Sequence, residues 1–163
     1  MKKHEINDLP PCLIYIDKEG QWYHEGAEMI RRDFIRIFYE NMEMDSQGRY
    51  VILWGGKRCY VEVEDTAFVV WKMHYQDAAE EEDERFVLQL SDDSSEDMIP
   101  DSLCVGRDNV LYCKVKKAVF PARFSRAAYY QLASHIVEEN GNFYLPFTNR
   151  NYKIKGVSAN PPI

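Results

Sequence analysis

The side chains best suited to chemistry are arginines and aromatics placed at matching points of two stretches of the chain. Arg32 and Arg126, 94 residues apart, each fall near the expected first turn of a helix. A cation there opposes the helix dipole by about 0.3–1 kcal/mol, so a compensating partner is expected. It is either an internal carboxylate, Glu28 one turn before Arg32, or an anionic ligand sharing the guanidinium and the free backbone N–H groups. Arg126 has no acid four residues before it and is the less explained of the two. Arg58 and Arg150, matched at later hairpins, would add charge to such a site. Trp22 and Trp54 would form flat apolar walls, and Tyr129 completes the candidate set.

Catalytic signals are weaker. Nucleophilic catalysis needs a nucleophile beside a base, with donors for the oxyanion. The chain has no G-x-S-x-G elbow, and Ser94 and Ser95 sit among carboxylates that would repel an anionic intermediate. Cys113 with His24 or His135 would be a conceivable pair; a buried structural cysteine is the plainer reading. His4, His24, His74 and His135 show no metal-binding spacing, so neither a metal nor a cofactor is expected. Glu64 and Asp65 are neighbours on a strand and point to opposite faces, which spoils them as an acid–base pair.

Periodicity supplies the elements that position these residues. Leu13 to Ile16 and Gln21 to His24 read as a hairpin. Gly26 and Glu28 suit the start of a helix over Ala27 to Met42, with Ile30, Phe34, Ile37, Phe38 and Met42 as its buried stripe. Tyr50 to Trp54 and Arg58 to Glu64 form a second hairpin about Gly55-Gly56, and Thr66 to Tyr75 a long apolar strand. The second half repeats the plan: a hairpin about Gly106 to Asn109, a helix capped by Ser125 and stopped near Gly141, then strands at Phe143 to Phe147 and Tyr152 to Ile154. Corresponding residues are offset by 89 to 94, the extra residues of the second copy falling at Lys114 to Pro121. The expected fold is α+β: two β-hairpin–helix–β-hairpin units joined by extra strands. The expected division is residues 13–76, a connector at 77–101, and residues 102–155.

Length and composition bound the rest. The 163 residues are 45% hydrophobic and 13% aromatic, enough for a core. No apolar run, Phe68 to Trp71 among them, comes near the length of a membrane span. No secretory signal follows the N-terminal Met1-Lys2-Lys3, so a cytoplasmic protein with four reduced cysteines is expected. The net charge of −7 is unevenly spread: −3 over residues 1–76, −10 over 77–101 and +6 over 102–163. The acidic stretch reads as a solvated connector holding one strand, Phe86 to Leu90. A calcium loop at Asp92 to Asp97 would lack its glycine and its bidentate glutamate.

The run Glu19-Gly20-Gln21-Trp22-Tyr23-His24-Glu25-Gly26, with Ile30-Arg31-Arg32 and Gly48-Arg49-Tyr50, resembles an uncharacterised bacterial family, domain of unknown function 1285. The likeness continues through Val61 to Phe68, with Ala67 where the family has proline, and resumes at Phe124 to Leu132. It implies a repeated α+β architecture and a small-ligand-binding or signalling role, with no established reaction, cofactor or catalytic residue.

Together these readings favour a non-catalytic ligand-binding or regulatory module, for a small anionic ligand or a protein partner, over a hydrolase. The alternative is an autoinhibited nucleic-acid or protein-interaction domain. Its basic face would hold Lys114, Lys116, Lys117, Arg123 and Arg126 beside Tyr112, Phe120 and Tyr129, masked by the acidic stretch. The pI near 5.1 argues against nucleic acid.

Overall fold

The computed structural model describes residues 9–79 and 83–157. The chain divides into two compact units, Met1–Ala67 and Phe68–Ile163. The long apolar strand and the acidic stretch therefore both lie in the second unit.

In the first unit, alternation and tight turns build the strands. They are β1 (Pro11–Ile16), β2 (Trp22–His24), β3 (Ala27–Glu28), β4 (Met42–Met44), β5 (Tyr50–Trp54) and β6 (Lys57–Val63), with helix α1 (Arg32–Glu40) between β3 and β4. They form one mixed sheet in the order β3-β2-β1-β6-β5-β4. All neighbours are antiparallel except β1 and β6, which are parallel with Tyr15 opposite Glu62. Asp17 and Asp45 organise the turns after β1 and β4 alike, each Oδ1 accepting two backbone N–H bonds, from Glu19 and Gln21 or from Gln47 and Arg49. Gly55 and Gly56, both at positive φ, make the expected two-residue turn between β5 and β6.

Three expectations for this unit are corrected. Gly26 does not start a helix: Glu25 and Gly26, both at positive φ, turn β2 into β3, and α1 begins only at Arg32. Glu28 therefore lies on a strand, outside the helical spacing that would pair it with Arg32. The buried face of α1 is Ile35 and Tyr39, whereas Ile30, Phe34 and Ile37 are exposed. Tyr39 decides this rotation. Its hydroxyl donates to the Ala67 carbonyl at 2.7 Å while its ring meets the Trp22 ring edge-on at 4.8 Å. Finally, Cys12 and Cys59 are joined as a disulfide, so only Cys104 and Cys113 are free thiols. The pairing depends on β1 lying beside β6, which no local spacing reveals.

The second unit contains β7 (Phe68–Gln76), β8 (Arg85–Leu90), β9 (Ser95–Asp97), β10 (Cys104–Val105), β11 (Leu111–Val115), β12 (Phe120–Phe124), helix α2 (Arg126–Ala133), β13 (Val137–Glu139), β14 (Asn142–Phe147), β15 (Arg150–Lys153) and β16 (Lys155–Gly156). Seven strands form a sheet in the order β16-β10-β11-β12-β7-β8-β9, while β13-β14-β15 form a separate one. Ser125 caps α2, its Oγ accepting from the Ala128 N–H at 3.1 Å, and Ala128 and Leu132 are buried as expected. Asn140 and Gly141 do not end this helix but turn β13 into β14. Both stretches read as copies run strand–strand–strand, helix, strand–strand–strand. Their sheets differ, one continuous in the first unit and divided in the second.

The acidic stretch is more ordered than a connector. Phe86 to Leu90 is a sheet strand as expected; its partner is β7, and β9 adds a second strand beside it. Asp92, Ser94 and Glu96 are half-buried rather than solvated. Lys116 draws them in: its Nζ lies 2.6 Å from Asp92 Oδ2 and donates to Ser94 Oγ, and its backbone N–H donates to Glu96. Residues 80–82 of the first acidic run lie outside the described residues.

Glu84, at the other end of β8, ties two hairpins together. Its carboxylate accepts from the Tyr75 hydroxyl and from the Thr148 backbone N–H. The first of these bonds, then the second, hold the carboxyl below its ordinary value, and the Tyr75 hydroxyl is pushed up to about 12. A depressed carboxyl contributes stability above its unfolded value and loses it as pH falls through the folded one. Melting temperature should therefore decline on acidification below the usual carboxylate range, and Glu84→Gln should flatten that decline. Superimposable pH profiles for variant and parent would contradict this.

Candidate ligand-binding groove

The concavity in the first unit forms on the outer face of its sheet. Strand alternation places Ile14 and Ile16 inward, both buried, and leaves Tyr15 38% exposed between them. On β6, Val61 is buried and Glu62 exposed. The register then sets Glu28, Tyr23, Tyr15 and Glu62 side by side across four strands. A groove of about 530 Å³ runs over this row. Tyr15, Tyr23 and Tyr60 line it, Leu13 and Pro11 add apolar surface at one end, and Asp17, Glu25 and Glu62 bring carboxylates. Leu13 at positive φ and a register shift between Pro11 and Tyr15 bend β1 along this edge.

The polar groups are held unequally. Asp17 receives the Tyr23 hydroxyl at 3.3 Å, and the Tyr15 and Tyr23 rings lie 6.2 Å apart, tilted by 40°. Glu64 Oε2 accepts from the Lys18 backbone N–H at 2.7 Å. Burial first, then the neighbouring carboxylates (Glu64 for Tyr15, Asp17 for Tyr23), raise both tyrosine hydroxyls above their ordinary value. At neutral pH they are uncharged donors. The side chains of Glu25 and Glu62 have no hydrogen-bond or ion-pair partner among the described residues.

The residues singled out from sequence lie elsewhere. Trp22 is core, 1% exposed, stacked on Phe38 at 6.2 Å. Trp54 meets the same Phe38 ring edge-on at 5.3 Å but is half exposed. Arg32 is half-buried and engaged within the chain, and Arg58 pairs with Glu43 at 3.3 Å. In the second unit, Arg150 lies 4.9 Å over the Tyr152 ring and Tyr129 rests against Tyr130. Arg126 is exposed at the first position of α2, with no partner among the described residues. Ser125 already satisfies one donor of that helix end, and its own hydroxyl donates to the Trp71 carbonyl at 2.8 Å.

The cysteine and metal readings can be placed too. Burial pushes the Cys113 thiol far above its ordinary value, the opposite of what a nucleophile needs. His135 packs against Tyr75 and Phe86 at 4.7 and 5.1 Å. Among the described residues, no three His, Cys, Asp or Glu side chains gather closely enough to hold a metal ion. No helix among them is long and apolar enough to cross a membrane.

A β-rich α+β protein in two units, one carrying a tyrosine- and carboxylate-lined groove, is the class that fold and site define. Among solved structures, the chain is similar over 90% of its length to a DUF1285 family protein from Silicibacter pomeroyi DSS-3, with a TM-score of 0.72, 16% identity and 81% of that chain covered. It is also similar to a DUF1285 family protein from Shewanella baltica OS155, with a TM-score of 0.60 and 16% identity over 75% of this chain and 91% of that one. The chain thus has the fold of DUF1285 family proteins, as its sequence resemblance implied. No family model matches the chain, and no curated protein does.

The groove residues went unselected at the sequence level, although alternation about Tyr15 and Glu62 was visible. That alternation marks an outer face. It does not say that residues as far apart in sequence as Tyr15 and Glu62 bring two such faces together.

Proposed function

We propose that the protein is a non-catalytic small-ligand-binding module whose site is the groove on the outer sheet face of its first unit. One observation carries this reading: a concavity walled by Tyr15, Tyr23 and Tyr60, with the carboxylates of Glu25 and Glu62, which have no partner among the described residues, at hand. Aromatic walls with a few polar groups suit a small molecule. The expected anion site at Arg126 is less supported, because the helix end there is capped by Ser125 and the groove carries carboxylates. The shared succession of elements supports reading residues 13–64 and 103–155 as copies of one plan. The longer β11–β12 hairpin, turned by Lys116 to Val119 where Glu25 and Gly26 alone join β2 and β3, then contributes to the longer second copy.

The test is a small-molecule screen followed by nuclear magnetic resonance of the labelled protein. Hits should shift the amides of Tyr15, Tyr23, Tyr60 and Glu62, and Tyr15→Ala should abolish those shifts while changing stability by about 1 kcal/mol or less. Shifts clustered around Ser125 to Ala128 would instead restore the Arg126 reading.

A further inference from the structure

Resting on the groove as the binding site, we infer that its ligand is an organic cation: an ammonium or guanidinium group on an apolar stem. Among the described residues, the ionisable side chains other than tyrosine that line the groove are Asp17, Glu25 and Glu62, with no lysine, arginine or histidine. An anion entering would meet carboxylates of its own sign; a cation would meet them as partners.

The aromatic walls point the same way. The faces of tyrosine rings carry negative potential and attract a cation placed over them. Tyr15 and Tyr23, tilted by 40° with centroids 6.2 Å apart, present adjoining faces. Both hydroxyls stay protonated at neutral pH, so each ring can flank a cation and each oxygen can still accept a hydrogen bond from it. Leu13 and Pro11 offer contact for aliphatic carbons.

Spacing separates an organic cation from a metal ion. Glu62 sits on β6 and Glu25 follows β2, on opposite sides of β1. Two inter-strand steps put their backbones about 10 Å apart. A metal ion needs oxygens within about 2.6 Å of one point, and among the described residues the groove does not gather such a set. A cation several atoms long can span the distance, its charge near one carboxylate and its stem across Tyr15. Asp17 has both oxygens engaged by the chain itself, so among the described residues Glu25 and Glu62 are the groove carboxylates left to act.

Titration calorimetry and amide shift mapping with 1,5-diaminopentane, arginine amide, citrate and magnesium chloride test this. The two organic cations should bind, shift Tyr15, Tyr23, Tyr60 and Glu62, and weaken as salt screens the carboxylates. The double variant Glu25→Gln, Glu62→Gln should weaken them about tenfold with an unchanged circular dichroism spectrum. Should that variant misfold, Tyr15→Leu provides a second test, because it removes the ring face and keeps the apolar bulk. Citrate shifting the groove while the cations do not would overturn the cationic ligand and leave the groove as the site. Magnesium chloride matching the organic cations would reduce the effect to general charge screening and overturn the inference. Groove amides unmoved by the cations, and by every hit of the broader screen, would overturn both readings.

Discussion

Replacing Trp22 by alanine is expected to destabilise the first unit by about 3–5 kcal/mol, the range for removing a large buried aromatic. The side chain is 1% exposed and fills the space between the sheet and α1, stacking on Phe38 and meeting Tyr39 edge-on. Its loss would leave a cavity and free Tyr39, whose hydroxyl bond to the Ala67 carbonyl holds the helix in register. The indole Nε1 has no hydrogen-bond partner among the described residues, so the contribution is packing rather than polar pairing. Trp22→Phe should consequently recover much of the loss. Denaturant unfolding followed by circular dichroism reads both variants. If Trp22 were chiefly a ligand wall, the alanine variant would melt like the parent and fail only in binding.

Breaking the Cys12–Cys59 bond is the second large effect. The bond closes a loop of 47 residues in sequence separation. Chain-entropy reasoning gives about 4 kcal/mol for a loop of that length, lost when the bond is reduced. A dithiol reductant or the Cys12→Ser, Cys59→Ser pair should lower the unfolding free energy by a similar amount and the denaturation midpoint with it. Cys104→Ser should leave it sensitive to reductant, since that thiol is free. Peptide mapping without reductant should recover residues 12 and 59 in one linked fragment. An unchanged midpoint, or separate fragments, would show that β1 and β6 are held by their pairing alone. The bond lies beside the groove, where Pro11 and Tyr60 are opposite each other and both line it.

What the sequence by itself determined is local in origin. Gly55-Gly56 turns a hairpin because both positions need positive φ. Ser125 caps α2 because its hydroxyl reaches an N–H three residues on. Ile14 and Ile16 face inward because strand side chains alternate. The α+β class follows from such signals, whereas the family resemblance rests on particular residues, the run Glu19 to Gly26 foremost. The tertiary structure decided whatever needed residues distant in sequence. The buried face of α1 moved to Ile35 and Tyr39 because Tyr39 found the Ala67 carbonyl 28 residues away. Asp92 and Glu96, acids that look solvated in sequence, turned toward Lys116 at the β11–β12 turn. Cys12 met Cys59, and Tyr15 met Glu62, only because β1 inserts in parallel beside β6. Patterns of period two or three to four report which face of an element is apolar. They carry no information on which element lies alongside it, and the groove is made of that adjacency.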